Sequence, residues 1–391
     1  MSSKIIPDRE IAEMIRAAGA TDALRCYQCG MCMAVCPWYQ VDAVVFPVYQ
    51  MPQAVRLGAM IASEDAAEIE HEVADVYRCV GCEACLANCP HAVDMPKVMR
   101  AIRRILVQYD NYPSELRDSV SRIQSDGNPY GEPRDKRTEL TQKMGVPSFD
   151  ASQEYLLFRC CAPAYDPIAK GAAQSIIRVL QQAGTSFGVL GSEESCCCES
   201  VRRAGAEDLF QNLATSNAEV FKEAGARRIL TTSPHCYTTF VRDYGEVGAD
   251  IEVHHYTQLF AKLIEEGRIK PQKALGKKVV YHDPCTLGRQ NGIFEEPRQV
   301  LRSIPGLELV EIPTYNRADS LCCGGGSGGV WLDRPKGERM ADVRVQQAVE
   351  TGAEILAVAC PYCQQMFTDS VKALGVDIEV KDIGELLAES L

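Results

Sequence analysis

Two short cysteine runs constrain this chain more than anything else in it. They are Cys26, Cys29, Cys32 and Cys36 before Pro37, and Cys79, Cys82, Cys85 and Cys89 before Pro90. Each reads C-x2-C-x2-C-x3-C-P, in which three close thiols wrap one corner of a 4Fe-4S cube. Structural zinc sites use two C-x2-C pairs instead, without a run of three. Three close thiolates leave the fourth iron facing away, and in two-cluster arrangements of this type the fourth cysteine of one run serves the other cluster. The expected ligand sets are Cys26, Cys29, Cys32 with Cys89, and Cys79, Cys82, Cys85 with Cys36. Two cubane clusters sharing ligands in this way lie close together, which suits one-electron relay.

The chain has 391 residues, 19 of them cysteine, and a formal net charge of -12. Nucleic acid and anionic lipid are poor partners for such a charge. The first twenty residues show no secretory signal, and C-x2-C spacings with adjacent cysteines are poor disulfide geometry, so reduced cytoplasmic thiols are expected. No apolar stretch approaches the roughly 20 residues that cross a bilayer, so membrane association would run through a partner.

The length suits several domains. Residues 1–110 read as one small, mostly helical cluster domain, with a helix-compatible stretch from Met51 to Val76 between its motifs. Residues 111–152, with Asp126 to Pro129 and Gly131 to Arg134 as turn signals, read as a linker. The remainder is duplicated. Cys161 maps to Cys285, the pair Cys197 and Cys198 to Cys322 and Cys323, and Cys236 to Cys363, at offsets of 124 to 127. The flanks agree: Asp250 to Val253 repeats as Asp377 to Val380. Two α/β units follow, at 153–270 and 275–391. Their expected parallel strands are Tyr155 to Phe158, Ser186 to Leu190, Arg228 to Thr232 and Ile251 to Val253, then Lys278 to Tyr281, Leu307 to Ile312, Ile355 to Ala359 and Ile378 to Val380. Cysteines fall just after the first and third strands and in the connection after the second. Carboxyl ends of parallel strands are where open α/β sheets build sites.

Cys285, Cys322, Cys323, Cys360, Cys363 and the adjoining Gly324 resemble the cysteine-rich CCG domain of heterodisulfide reductases. Over nearly its full length the chain resembles their D-type subunit, a two-cluster ferredoxin domain followed by two CCG units. The resemblance implies a noncubane 4Fe-4S cluster on those five cysteines, where a disulfide is reduced or formed. The first unit departs from the pattern: Ser233 replaces a cysteine, Glu199 replaces the glycine, and Cys160 and Cys196 are extra. Its matching positions, Cys161, Cys197, Cys198 and Cys236, make an incomplete metal set, expected to hold an altered cluster or none.

Two function classes follow. One is a heterodisulfide-reductase-like oxidoreductase subunit with catalytic cysteines in the second unit. The other is a pure relay between a flavoprotein or dehydrogenase and a quinone-linked or other reductase. Either way the expected partners are redox subunits such as a flavoprotein, a membrane cytochrome or a reductase. Gly324 to Gly329 formally matches G-x-G-x-x-G but follows a cysteine pair rather than a strand, so it reads as backbone brought close to cluster sulfurs. His235 and His282, near the strand ends, read as structural hydrogen-bonding residues rather than catalytic ones. Arg202 and Arg203 read as a solvated helix face.

Overall fold

The computed structural model describes residues 7–41, 46–58 and 73–391. Of the stretch expected to be helical between the two motifs, residues 59–72 lie outside that description.

The cysteine motifs sit on very short helices, Met31–Ala34 and Ala84–Ala87, each opened by a left-handed residue, Gly30 or Glu83. Around them pack Arg9–Ala17, Met51–Leu57 and the longer Met95–Gln108. Asp94 caps the last of these, accepting from the Lys97 amide at 2.9 Å. Its buried face carries Val98, Met99, Ile102 and Leu106 at helical spacing. Arg103 is buried on that face as well, at 2 % exposure. Its guanidinium donates to the carbonyls of Cys79 at 2.6 Å, Val76 at 2.9 Å, Arg203 at 3.0 Å and Ser327 at 3.3 Å. One side chain thus ties the cluster domain to both α/β units.

The segment read as a linker is itself folded onto the rest. Helix Ser114–Asp126 buries Leu116, Val120 and Ile123, and Ser148 pairs with Val189 at a sheet edge.

All eight expected strands form: β1 Tyr155–Phe158, β2 Phe187–Gly188, β3 Arg228–Thr231, β4 Glu252–His255, β5 Lys278–Tyr281, β6 Glu308–Val310, β7 Ile355–Val358 and β8 Glu379–Asp382. They make two parallel four-stranded sheets, ordered β2-β1-β3-β4 and β6-β5-β7-β8. In this order the chain reverses direction of winding between β1 and β3, and between β5 and β7, opening a crevice at their carboxyl ends. The units are related by approximate two-fold symmetry. Helix Pro167–Gln182, after β1, packs on the last helix, Ile383–Ser390, while Glu295–Arg302, after β5, packs on Tyr256–Glu265. Both sheets share one apolar core, including Leu157, Leu180, Phe260, Val279, Val300 and Leu387. Among the described residues no helix is long and apolar enough to cross a membrane.

Candidate iron-sulfur centres

All 19 cysteines are free thiols. Cys26, Cys29, Cys32, Cys85 and Cys89 line one cavity, with Tyr49, Pro52, Val93 and Met95 as apolar wall. Cys36 is within electrostatic reach of Cys82 and Cys79 of the other run, ahead of Cys32 of its own. Burial and those neighbours push its thiol far above the ordinary range. The chain therefore folds so that the fourth cysteine of each run approaches the other run. Cys29 is exposed whereas Cys82 is buried, so the first motif faces outward and the second inward.

In the second unit the strand ends deliver all five expected thiols to one buried place, none more than 7 % exposed. Cys285 Sγ lies 3.6 Å from Cys322 Sγ, and Cys363 Sγ lies 3.3 Å from Cys323 Sγ. Cys360 caps helix Pro361–Leu374 and touches Cys363. The glycine-rich loop behaves as read from sequence. The Gly324 amide donates to Cys322 Sγ at 3.3 Å and that of Gly325 to Cys323 Sγ at 3.5 Å. Amide hydrogen bonds to sulfur favour the charged thiolate, the form that binds metal.

Both histidines read as structural hydrogen-bonding residues lie on second-unit thiols. Arg344 Nε donates to His282 Nδ1 at 3.1 Å. That leaves His282 Nε2 as the N–H facing Cys363 Sγ at 3.5 Å. Burial, with Arg344 and Arg289 nearby, holds His282 well below its usual pKa, hence neutral. His235 comes from the first unit. It hydrogen-bonds Cys360, and its Nδ1 lies 3.5 Å from Glu199 Oε1. Burial opposes charge on Cys360, but hydrogen bonds from Cys363 and His235 outweigh it and bring that thiol down to about 5. Thiol contacts from Cys322 and Cys363 pull Cys323 down to about 6.

The second cluster motif abuts this place. Cys82 is within electrostatic reach of Cys285 and Cys322. Arg289 joins them: its Nε donates to the Cys82 carbonyl at 2.7 Å, and its charge favours both the Cys82 and Cys285 thiolates.

The first unit also gathers its cysteines. Cys161 touches Cys196, Cys197 touches Cys196 and Cys236, and Cys236 touches Cys160. The Cys198 thiol turns back on Cys196, donating to its carbonyl at 3.1 Å. Arg137, from the segment read as a linker, donates to Cys161 Sγ at 3.2 Å and pairs with the buried Glu194. Ser233 Oγ accepts from the His235 amide at 3.3 Å and caps helix Pro234–Arg242. The reading of Arg202 as solvated is corrected. It is 3 % exposed and pairs with Asp243 at 2.9 Å, Glu207 at 3.1 Å and Glu246 at 2.5 Å. Glu207 stands just after it in the chain, but Asp243 and Glu246 come from one distant turn that no local charge pattern reveals.

Sequence reasoning did not find Arg137, Arg289 or Arg344; each approaches a thiol or its histidine from a distant segment. The donor set suits iron-sulfur clusters: soft thiols in buried groups, with amide and arginine donors placed to stabilise their charge. Among the described residues no three donors converge as they would on a single metal ion.

Comparison with known proteins agrees. Residues 22–93 match the 4Fe-4S dicluster domain, and residues 155–241 and 279–368 each match the cysteine-rich domain called CCG. The EtfAB:quinone oxidoreductase of Syntrophomonas wolfei is 32 % identical over 94 % of this chain, which spans 58 % of that protein's length. The D-type subunit of the dihydromethanophenazine:CoB--CoM heterodisulfide reductase of Methanosarcina barkeri is 32 % identical over 94 % of this chain and 93 % of its own. Among solved structures, a hypothetical protein from Helicobacter pylori superposes with a TM-score of 0.57 at 9 % identity, over 90 % of this chain and 74 % of that one. That last likeness concerns fold alone.

Proposed function

Since this chain belongs to the family of D-type heterodisulfide reductase iron-sulfur subunits, we propose that it carries electrons inward from its first cysteine motif to the second α/β unit. The observation that carries this reading is that Cys82 lies within electrostatic reach of Cys285 and Cys322, with Arg289, hydrogen-bonded to the Cys82 carbonyl, within reach of all three. Bound clusters would supply one-electron carriers at these thiols. Cys26, Cys29, Cys32 and Cys89 hold the outer cubane cluster, and Cys79, Cys82, Cys85 and Cys36 the inner one. Cys285, Cys322, Cys323, Cys360 and Cys363 hold a noncubane cluster.

The exposed Cys29 marks the entry side. Tyr27 and Met31, large apolar residues left 75 % and 46 % exposed, line the cavity beside it and suit docking of a redox partner such as a flavoprotein or membrane cytochrome. His235 directs a hydrogen bond at Cys360 and holds charge on that thiolate, while the neutral His282 presents its Nε2 to Cys363 Sγ at 3.5 Å. The finer step is reduction or formation of a disulfide at the second unit, as the name of the Methanosarcina relative implies for that protein. A second reading, relay to a quinone-linked or other reductase partner without a substrate of its own, is favoured by the near-complete burial of all five second-unit thiols.

Electron paramagnetic resonance of the anaerobic protein tests both. Two interacting signals from the N-terminal motifs are expected on reduction. Added thiol or disulfide should perturb a third signal that Cys323→Ser abolishes. A third signal indifferent to every thiol or disulfide tried would leave the relay reading. Absence of any signal tied to Cys323 would overturn electron delivery to the second unit.

A further inference from the structure

The thiols of the second unit touch in the order Cys285, Cys322, Cys323, Cys363, Cys360. Those of the first touch in the order Cys161, Cys196, Cys197, Cys236, Cys160, with Cys198 a side branch that touches only Cys196. Laying one order on the other matches Cys196 and Cys197 to Cys322 and Cys323, one residue away from the alignment suggested by sequence. Cys198 then falls on Gly324.

The backbone agrees with that match. Cys198 has φ 66° and Gly324 φ 92°, both left-handed, a conformation natural to glycine. Both amides donate to the sulfur two residues earlier, to Cys196 Sγ and Cys322 Sγ, each at 3.3 Å. The fifth position is filled differently in the two units. Ser233 and Cys360 correspond, each preceding a proline at the start of a helix, but Ser233 Oγ is occupied as the cap.

Cys160 is the remaining neighbour of Cys236, and it adopts φ 68° and ψ 171°. That region is used almost solely by glycine, and a larger residue stays there only when its surroundings hold it. The corresponding residue of the second unit is Pro284, which has no thiol and whose ring keeps φ negative. The strained turn at Cys160 aims a thiol at the place left without one.

We propose that Cys160, Cys161, Cys196, Cys197 and Cys236 form a second complete five-thiolate iron-sulfur site, in which Cys160 substitutes for the cysteine missing at Ser233 and Cys198 stands outside as a glycine replacement. The proposal rests on the reading of the second unit as a cluster site. It removes the asymmetry expected from sequence, since both units then carry five thiols. Tyr362, in the turn between Cys360 and Cys363, is within electrostatic reach of Cys196 and Cys161, and His235, next to Cys236, hydrogen-bonds Cys360, so the two sites are neighbours.

Iron and sulfide content of the anaerobically reconstituted full chain, with Mössbauer spectra, provides the test. Wild type should bind about sixteen irons and Cys160→Ser about four fewer, since each cluster holds about four. Cys198→Gly should keep the full content. The double variant Cys160→Gly with Ser233→Cys should regain what Cys160→Ser loses, because it moves the thiol to the position used in the second unit and relieves the strained turn. Cys363→Ser reports separately on the second unit. If Cys363→Ser loses about four irons while Cys160→Ser loses none, this proposal falls and the second-unit reading stands. If Cys198→Gly loses the first-unit iron, Cys197 and Cys198 are the ligand pair and the proposal also falls. If Cys363→Ser loses none, the reading beneath it fails.

Discussion

A buried thiol binds metal only where something offsets the cost of charging it in a dry interior. Here the offset is assembled residue by residue: His235 on Cys360, the Gly324 and Gly325 amides on Cys322 and Cys323, Arg137 on Cys161, Arg289 beside Cys82. Strain contributes at the same scale. A non-glycine residue at φ 68° and ψ 171°, as at Cys160, costs on the order of 1–3 kcal/mol. The crossed approach of the two N-terminal motifs is also a residue-scale matter and gives a prediction. Cys36→Ser should weaken or abolish the paramagnetic signal of the cluster on Cys79, Cys82 and Cys85, and leave that on Cys26, Cys29 and Cys32. Loss confined to the latter would show that each run serves only its own cluster.

At the scale of elements, the glycine-rich loop 324–329 is wedged between the second cysteine motif and the second-unit thiols. A Cβ at Gly326 would stand 2.5 Å from the Val80 carbonyl oxygen, a backbone atom with little freedom to move. Gly326 lies outside the left-handed region, so the conflict there is steric rather than conformational. Gly326→Ala should therefore destabilise the protein by about 1–3 kcal/mol, the usual cost of overpacking, read as a lower denaturant midpoint. Electron transfer between the N-terminal clusters and the second unit should slow as well, because Val80 adjoins Cys79. Gly245 serves as the control. A Cβ there meets nothing within 4 Å and its φ is not positive, so Gly245→Ala should change stability by no more than about 0.5 kcal/mol. Equal destabilisation by both variants would remove the steric account.

Across the whole molecule, the two α/β units are joined by a contact that titrates. Tyr256, from the first unit, donates to both carboxylate oxygens of Asp382 in the second, at 2.8 and 3.0 Å. Burial, with Glu385 beside it, raises Asp382 to about 8 despite the hydrogen bonds from Gly384 and Tyr256. His255, one residue before Tyr256, is held down to about 3 by burial. From about pH 6.5 to 8, folded Asp382 keeps a proton that an unfolded carboxyl, with a pKa near ~3.9, has released. The folded state then binds more protons, so stability falls as pH rises, by up to ~1.4 kcal/mol per unit. Between about pH 4 and 6.5 the unfolded chain also protonates His255, which the folded chain leaves neutral, an opposite slope that offsets the one from Asp382. Below about pH 4 the Asp382 contribution is gone and that of His255 remains, lowering stability as pH falls. Asp382→Asn should flatten the alkaline fall and expose the histidine slope below about pH 6.5. Urea midpoints measured across this range check it, and an unchanged alkaline slope in the variant would assign the effect elsewhere.

The sequence by itself determined what depends on neighbours along the chain: the two cysteine motifs, the duplication, all eight strands, and the delivery of cysteines to strand carboxyl ends. Periodicity and spacing suffice there because each such feature is set within a few residues. Only the tertiary structure decided which thiols touch. Cys196 rather than Cys198 meets Cys161, because residue 198 takes the left-handed turn, and Cys160 reaches Cys236 through a backbone conformation that its residue type does not favour. Likewise Arg103, Arg289 and His235 act on groups more than a hundred residues away, reached by folding one domain against another. Contacts of that kind are written in no local pattern, since their partners become neighbours only once the core has formed.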